Sequence, residues 1–303
     1  MTYMKRSSIV WCIVLLIIIS FGMLKFYEEF TGHFNLTNIS YDLPYNQAMD
    51  IPPLSTTEQQ KVEQILSQPF SWLDHGHQIY AFASQDQKYV LKIFKFKRLK
   101  PAWTDQWFSE IPGFANYYEL AQNKRERRFQ KLFKGYRLAY TKDRENTGLL
   151  YVHLNKTDNL QRKITVKDRL GFTHSLALDD LIFAVQERGR TAKKVLTALL
   201  ENHDVEGVKS RIKSLFQMYV AEYKKGLVDW DRNVMHNSGF IGVQSIRLDL
   251  GQLQYDENVK DPEIFKEDLR QIASKRLTPW LKNHYPQYEV ELTLFIQQLI
   301  REL

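Results

Sequence analysis

The chain has 303 residues, 44% apolar and 25% charged, enough to bury a sizeable core in one large domain or in two lobes around a cleft. Its net charge of +7 suits nucleic acid, anionic lipid or nucleotide phosphates and separates none of these from the others. The single cysteine, Cys12, excludes an intrachain disulfide and a cysteine-rich metal site.

From Ser7 to Leu24 no residue is charged, and Lys5 and Arg6 precede the run. It is long enough to approach the ~30 Å hydrocarbon core as one helix, with Phe26 and Tyr27 at the interface. Residues 1–27 are therefore expected to form a single-pass N-terminal membrane anchor. The small-x-small site Ser20-Phe21-Gly22 leaves a cleaved signal peptide as the alternative. Lys5 and Arg6 against Lys25 place the N-terminus on the cytoplasmic side by the positive-inside bias. Residues 28–54 show no sustained period, end in Pro52-Pro53 and read as a linker with some packing against the domain. Sequons at Asn35, Asn38 and Asn155 carry meaning only in a secretory eukaryotic setting.

Ser55 to Gln68 has a Ser/Thr start with Val62, Ile65 and Leu66 on one face, which predicts a short helix. HQIYAFASQ and QKYVLKIFKF, joined by Ser84-Gln85-Asp86-Gln87, predict a hairpin with Lys92 in mid-strand. A lysine there either guards a strand edge or is aimed into a cleft to hold phosphate. After a loop with Trp103, Trp107 and Pro112, Phe114–Phe133 reads as a long basic helix carrying Glu119 and Glu126. YRLAY with GLLYVHL, and KITVKD with FTHSLAL, predict two further hairpins, the second turning at Arg169-Leu170-Gly171. From Asp179 the pattern is read as helical through Asn202, and again from Asp204 to Gly226. FIGV and SIRL predict a short strand pair, and the tail from Asp261 reads as helical. A β-rich lobe over residues 55–154 and an α-helical lobe over residues 155–303 follow, with a cleft between them.

Between these elements lies GLVDWDRNVMHNSGFIGVQSIRLDLG, whose acidic and amide residues follow neither helix nor strand period. One type of phosphoryl-transfer site places a strand lysine on the phosphates and a helix glutamate to hold it. It also needs an aspartate at the acceptor hydroxyl and an asparagine and aspartate on magnesium. Lys92, a helix with two acids, Asp229 and Asp231, Asn237 and Asp249 occur here in that order.

Tyr89-Val90-Leu91-Lys92, Asp229-Trp230-Asp231 and Asp249-Leu250-Gly251 make the chain resemble the protein-kinase-like superfamily. The likeness is nearest in style to its small bacterial aminoglycoside and lipopolysaccharide-sugar kinases and spans roughly residues 71–251. The resemblance implies a two-lobed α+β fold behind one transmembrane helix, with ATP and magnesium as cofactors. It implies Asp231 and Asp229 as catalytic residues, Asn237 and Asp249 as metal ligands, and Lys92, Glu126 and Gly76 at the nucleotide. Glu126 is preferred over Glu119 as the lysine's partner because it precedes the apolar Phe129 by one turn.

The sequence also departs from the family pattern. Asn237 follows Asp231 by six positions rather than five, and Gly76 stands alone where a glycine-rich loop is usual. No Ala-Pro-Glu follows Asp249, so a peptide acceptor is disfavoured. The implied activity is transfer from ATP to a hydroxyl of a small molecule, sugar or glycolipid at a membrane. The alternative is a degenerate pseudokinase acting as a tethered binding module. Neither a recognition helix nor an RNA-stacking motif is present, so nucleic acid is not an expected partner.

Overall fold

The uncharged N-terminal run forms one helix, α1 (Arg6–Phe30). Its stretch Trp11–Phe30 is long and apolar enough to cross a membrane, and residues 11–26 of it are exposed. The computed structural model describes residues 6–40, 43–97, 99 and 115–303. Lys5, Arg98, Lys100, the expected loop of Trp103, Trp107 and Pro112, and Phe114 lie outside the described residues.

Helix α2 (Thr56–Leu66) begins with a reciprocal cap between Ser55 and Glu58 and buries Val62, Ile65 and Leu66. Strands β1 (Phe70–His75), β2 (Ile79–Ser84) and β3 (Tyr89–Phe94) then form an antiparallel meander. Gln87, at φ 61°, turns the chain between β2 and β3. Helix α3 (Ala115–Lys142) crosses to β4 (Leu149–His153), and the hairpin β5 (Lys163–Lys167) and β6 (Thr173–Ala177) follows. Strand β7 (Phe183–Glu187) returns between β3 and β4, so the seven-stranded sheet runs β4-β7-β3-β2-β1-β5-β6. The hairpin joins the far edge, where β5 pairs with β1 in parallel.

Two sequence expectations are corrected. YRLAY is not a strand but the last part of α3: Tyr136, Ala139 and Tyr140 continue the helical face of Phe129, Leu132 and Phe133. The expected helix from Asp179 is broken, because Phe183, Ala184 and Val185 sit in β7. Both faces of that strand are covered, which erases the period-2 signal. Residues 155–187, expected with the helical lobe, therefore contribute strands to the sheet.

The helical part comprises α4 (Ala192–Glu201), α5 (Val205–Lys224), α6 (Pro262–Ile272), α7 (Thr278–His284) and α8 (Pro286–Glu302) around one apolar core. Strands β8 (Arg190–Thr191), β10 (Ser238–Ile241) and β11 (Gln244–Arg247) form a small sheet. Strands β9 (Leu227–Asp229) and β12 (Leu253–Tyr255) form a second. The fold is thus α+β, a curled sheet with α2 on one face and α3 on the other, followed by a helical lobe.

Helix α3 is pressed against the Asp-Leu-Gly segment. Leu250 is fully buried among Phe133, Leu132 and Tyr136, and a Cβ on Gly135 would lie 2.3 Å from the Leu250 carbonyl oxygen. Gly135→Ala should accordingly cost about 1–3 kcal/mol by forcing α3 off this segment, outweighing a gain in helix propensity of about 1 kcal/mol. Urea unfolding of the full chain in detergent measures it. A stabilised variant would mean that the close approach does not exist.

Candidate active site

Lys92 is held in mid-sheet by its neighbours, facing Ala81 on β2 and Ala184 on β7. Its ammonium donates to the Leu248 carbonyl at 2.5 Å. Burial pushes its pKa down to about 8, and the Asp249 carboxylate works in the opposite direction. The lysine is therefore no edge guard: β7 covers the side that would have been open.

Asp229 ends β9, and the chain then coils through a tight loop. Arg232 takes φ 52°, and a helical turn closes from Asn233, whose carbonyl accepts the Asn237 amide at 2.8 Å. Asn237 is buried, and its Nδ2 donates to Asp229 and to Asp231 at 3.1 Å each. With both amide protons used, its carbonyl oxygen is left as the acceptor available to a cation. Its backbone carbonyl accepts from Leu248 at 2.7 Å and Asp249 at 3.1 Å. One asparagine thus ties the Asp231 loop to the Asp-Leu-Gly segment, and Leu248 ties that segment to Lys92.

Asp231 and Asp249 are both exposed, whereas Asp229 is buried. The Asp229 oxygens accept from the Asp231 amide at 3.0 Å, from Asn237, and from Arg247 at 3.2 Å. Asp229 therefore faces inward and organises the loop. The residue that makes its charge tolerable is Arg247, which sequence reasoning missed. Arg247 is 1% exposed and grips Glu222 through two hydrogen bonds of 2.8 and 2.5 Å. Burial opposes its charge, and Glu222, Tyr219 and Asp229 outweigh burial, so its pKa stands above the ordinary arginine value. No local signal pointed to it: strand alternation sets Arg247 opposite the apolar Ile246, yet Ser245, Ile246 and Arg247 are all buried.

The expected Lys92–Glu126 ion pair does not form. Glu126 lies ten residues before Tyr136 on α3, about 15 Å along the helix axis, and lines clefts beside Gln130. The α3 residue facing the lysine is Tyr136, whose ring centroid is 5.9 Å from Lys92 Nζ. Its buried hydroxyl has no hydrogen-bond partner. Burial and then Asp249 hold its pKa well above the ordinary tyrosine value, so it stays a donor. Gly76 sits at the β1–β2 turn with nothing within 4 Å of where a Cβ would be, open for a ligand's approach. Gln78, two residues on, reaches within 3.8 Å of a Cβ position on Gly251, so this turn overhangs the Asp-Leu-Gly segment.

Among the described residues no three His, Cys, Asp or Glu side chains form a ready metal cage. Magnesium is commonly held by only one or two carboxylates together with substrate phosphates. The oxygen donors Asn237 and Asp249, and the orphaned Tyr136 hydroxyl beside Lys92, fit a magnesium-bound polyphosphate. Arg247→Met should destabilise the protein by about 3–5 kcal/mol, since Glu222 would be left as an uncompensated buried charge. Replacing Arg247 and Glu222 together by apolar residues should recover part of that loss in thermal unfolding, the remainder being the buried Asp229 left without its cation. Equal losses in the single and double variants would contradict the pairing.

No protein-family profile matches the chain, and no curated protein does. Among solved structures, WbdD co-crystallised with a kinase inhibitor is similar at 13% identity and a TM-score of 0.39, covering 76% of this chain and 45% of that one. The bifunctional kinase-methyltransferase WbdD gives a TM-score of 0.36 at the same identity, covering 74% and 42%. The ternary complex of streptomycin, ATP and APH(2")-IIa gives 10% identity and a TM-score of 0.29, covering 81% and 99%. The chain spans less than half the length of WbdD. Three features of the fold agree with the kinase-like resemblance read in the sequence. The meander carries a lysine on β3, a helix lies between β3 and β4, and the Asp-Leu-Gly exit sits under that helix.

Proposed function

We propose that this protein is a membrane-anchored phosphotransferase that moves the terminal phosphoryl group of ATP to a hydroxyl of a small molecule, sugar or glycolipid. The observation that supports it most is the chain of contacts from Lys92 through Leu248 and Asn237 to Asp231, which gathers the required groups from four separate elements. In this reading Lys92 binds the phosphates and the Tyr136 hydroxyl donates a further hydrogen bond there. Asn237 and Asp249 hold magnesium, which neutralises charge developing on the phosphates. Asp231 orients the acceptor hydroxyl and takes up its proton as the new O–P bond forms and ADP departs. Asp229 positions Asp231 and Asn237 and touches no substrate. Gly76 leaves room for the phosphates, and Glu126 stands outside the nucleotide.

The second reading is a tethered binding module without catalysis, favoured by the missing acid partner of Lys92 on α3. The two separate in calorimetry of the full chain in detergent, titrated with magnesium and ATP. Asp249→Ala should abolish the binding heat. Asp231→Asn should keep the binding heat and lower phosphoryl transfer to a suitable acceptor by about 10²–10⁴-fold. Absence of heat at millimolar nucleotide with the parent protein would leave the binding module as the better account.

An active enzyme also requires ATP on the side of the membrane that holds the domain. A topology reporter fused at Leu303 should therefore read cytoplasmic, against the weak charge bias at the N-terminus. A reporter on the far side would exclude ATP-dependent transfer there.

A further inference from the structure

The turn between β5 and β6 holds two large apolar side chains in the open: Leu170 is 42% exposed and Phe172 59%. Its conformation is set by the buried Asp168, whose Oδ1 accepts the amides of Leu170 at 2.9 Å and Phe172 at 3.0 Å. The other oxygen accepts from Tyr27 at 2.7 Å and meets His174 at 2.9 Å.

The same turn is clamped to the last turns of α1. The Phe172 and Tyr27 ring centroids are 6.1 Å apart. Arg169 donates to the Phe30 carbonyl at 3.1 Å and lays its guanidinium over the Phe30 ring at 4.2 Å. These contacts fall at the end of the 20-residue stretch able to cross a membrane. At ~1.5 Å per residue such a stretch spans ~30 Å, so Tyr27 to Phe30 stand where hydrocarbon gives way to headgroups. Leu36, just beyond, is 61% exposed, and Lys167, at the turn end of β5 beside Arg169, is exposed. Apolar side chains flanked by cations at that depth match the chemistry of a bilayer interface.

We propose that the β5–β6 turn is a second membrane contact, inserting Leu170 and Phe172 into the interfacial layer beside α1. The proposal rests on the reading of α1 as a membrane anchor. Two contacts fix the orientation of the sheet relative to the bilayer, where a single helix on a free linker would let the domain swing.

Because Cys12 is the only cysteine, spin labels can be placed one at a time in the full chain, reconstituted in vesicles containing anionic lipid. One label goes on Cys12. Others go on Phe172→Cys, Leu170→Cys and Val243→Cys, each in a Cys12→Ser background. Val243, 70% exposed on the β10–β11 turn, serves as the aqueous reference. Labels at 12, 170 and 172 should collide more with oxygen than with a water-soluble nickel chelate, and the label at 243 should show the reverse. Labels at 170 and 172 that match 243, while 12 remains in lipid, overturn this proposal and leave the anchor standing. A nickel-accessible label at 12 overturns the anchor itself. If one turn variant fails to fold, the other still decides.

Discussion

The candidate site depends on a buried guanidinium. Arg247 lies between Glu222 on α5 and Asp229 at the end of β9, and its own carbonyl accepts from Gln186 on β7 at 3.0 Å. A single residue therefore joins the sheet, the longest helix of the helical lobe and the acidic loop. A buried ion pair of this kind is weak evidence for net stability, because desolvation offsets much of its attraction. Its directionality is another matter. The planar fork of arginine allows few arrangements of the two carboxylates it satisfies, and Asp229 passes that constraint to Asp231 and Asn237 through hydrogen bonds.

Lys92 illustrates how a charge is kept in a dry place without a carboxylate directly on it. Its partner is a backbone carbonyl, its roof is the ring of Tyr136, and Asp249 contributes at a distance. An ion pair with α3 is impossible in this packing, because the face α3 turns to the cleft is aromatic and aliphatic: Phe129, Leu132, Phe133 and Tyr136. Gly135 lets that face approach the Leu250 backbone closely. The helix thereby supports the Asp-Leu-Gly segment by shape, where an ion pair would support it by charge.

At the other end of the sheet, the inserted hairpin and the end of α1 stabilise each other. Asp168 accepts hydrogen bonds from the turn and from α1 at once, and Tyr80 donates to the Gly32 carbonyl at 2.9 Å. Gly32 adopts φ 59° against the His75 ring, with a Cβ position only 2.5 Å away, so a side chain there would be strained and would have to displace that ring. The packing expected of the linker is a docked segment, with Phe34 and Ile39 buried in the core of the sheet.

The local elements whose signals are short-range were legible in the sequence. The apolar run gave a helix because nothing in it is charged. The capping box at Ser55 and the hairpin turn at Gln87 are written in adjacent residues, and the Asp-Leu-Gly exit after a strand pair needs only local order. What tertiary structure alone decided are the pairings of residues far apart. Strand β7 looked helical because both its faces are covered by other elements, and YRLAY looked extended because its tyrosines favour strands in isolation. No local pattern distinguishes Glu126 from Tyr136 as the neighbour of Lys92; the angle at which α3 crosses the sheet selects the tyrosine. Arg247 meets Glu222 and Asp229 across 25 and 18 residues of chain. A charge buried at that separation has its reason in three dimensions, where the partners that offset its desolvation are assembled by the fold.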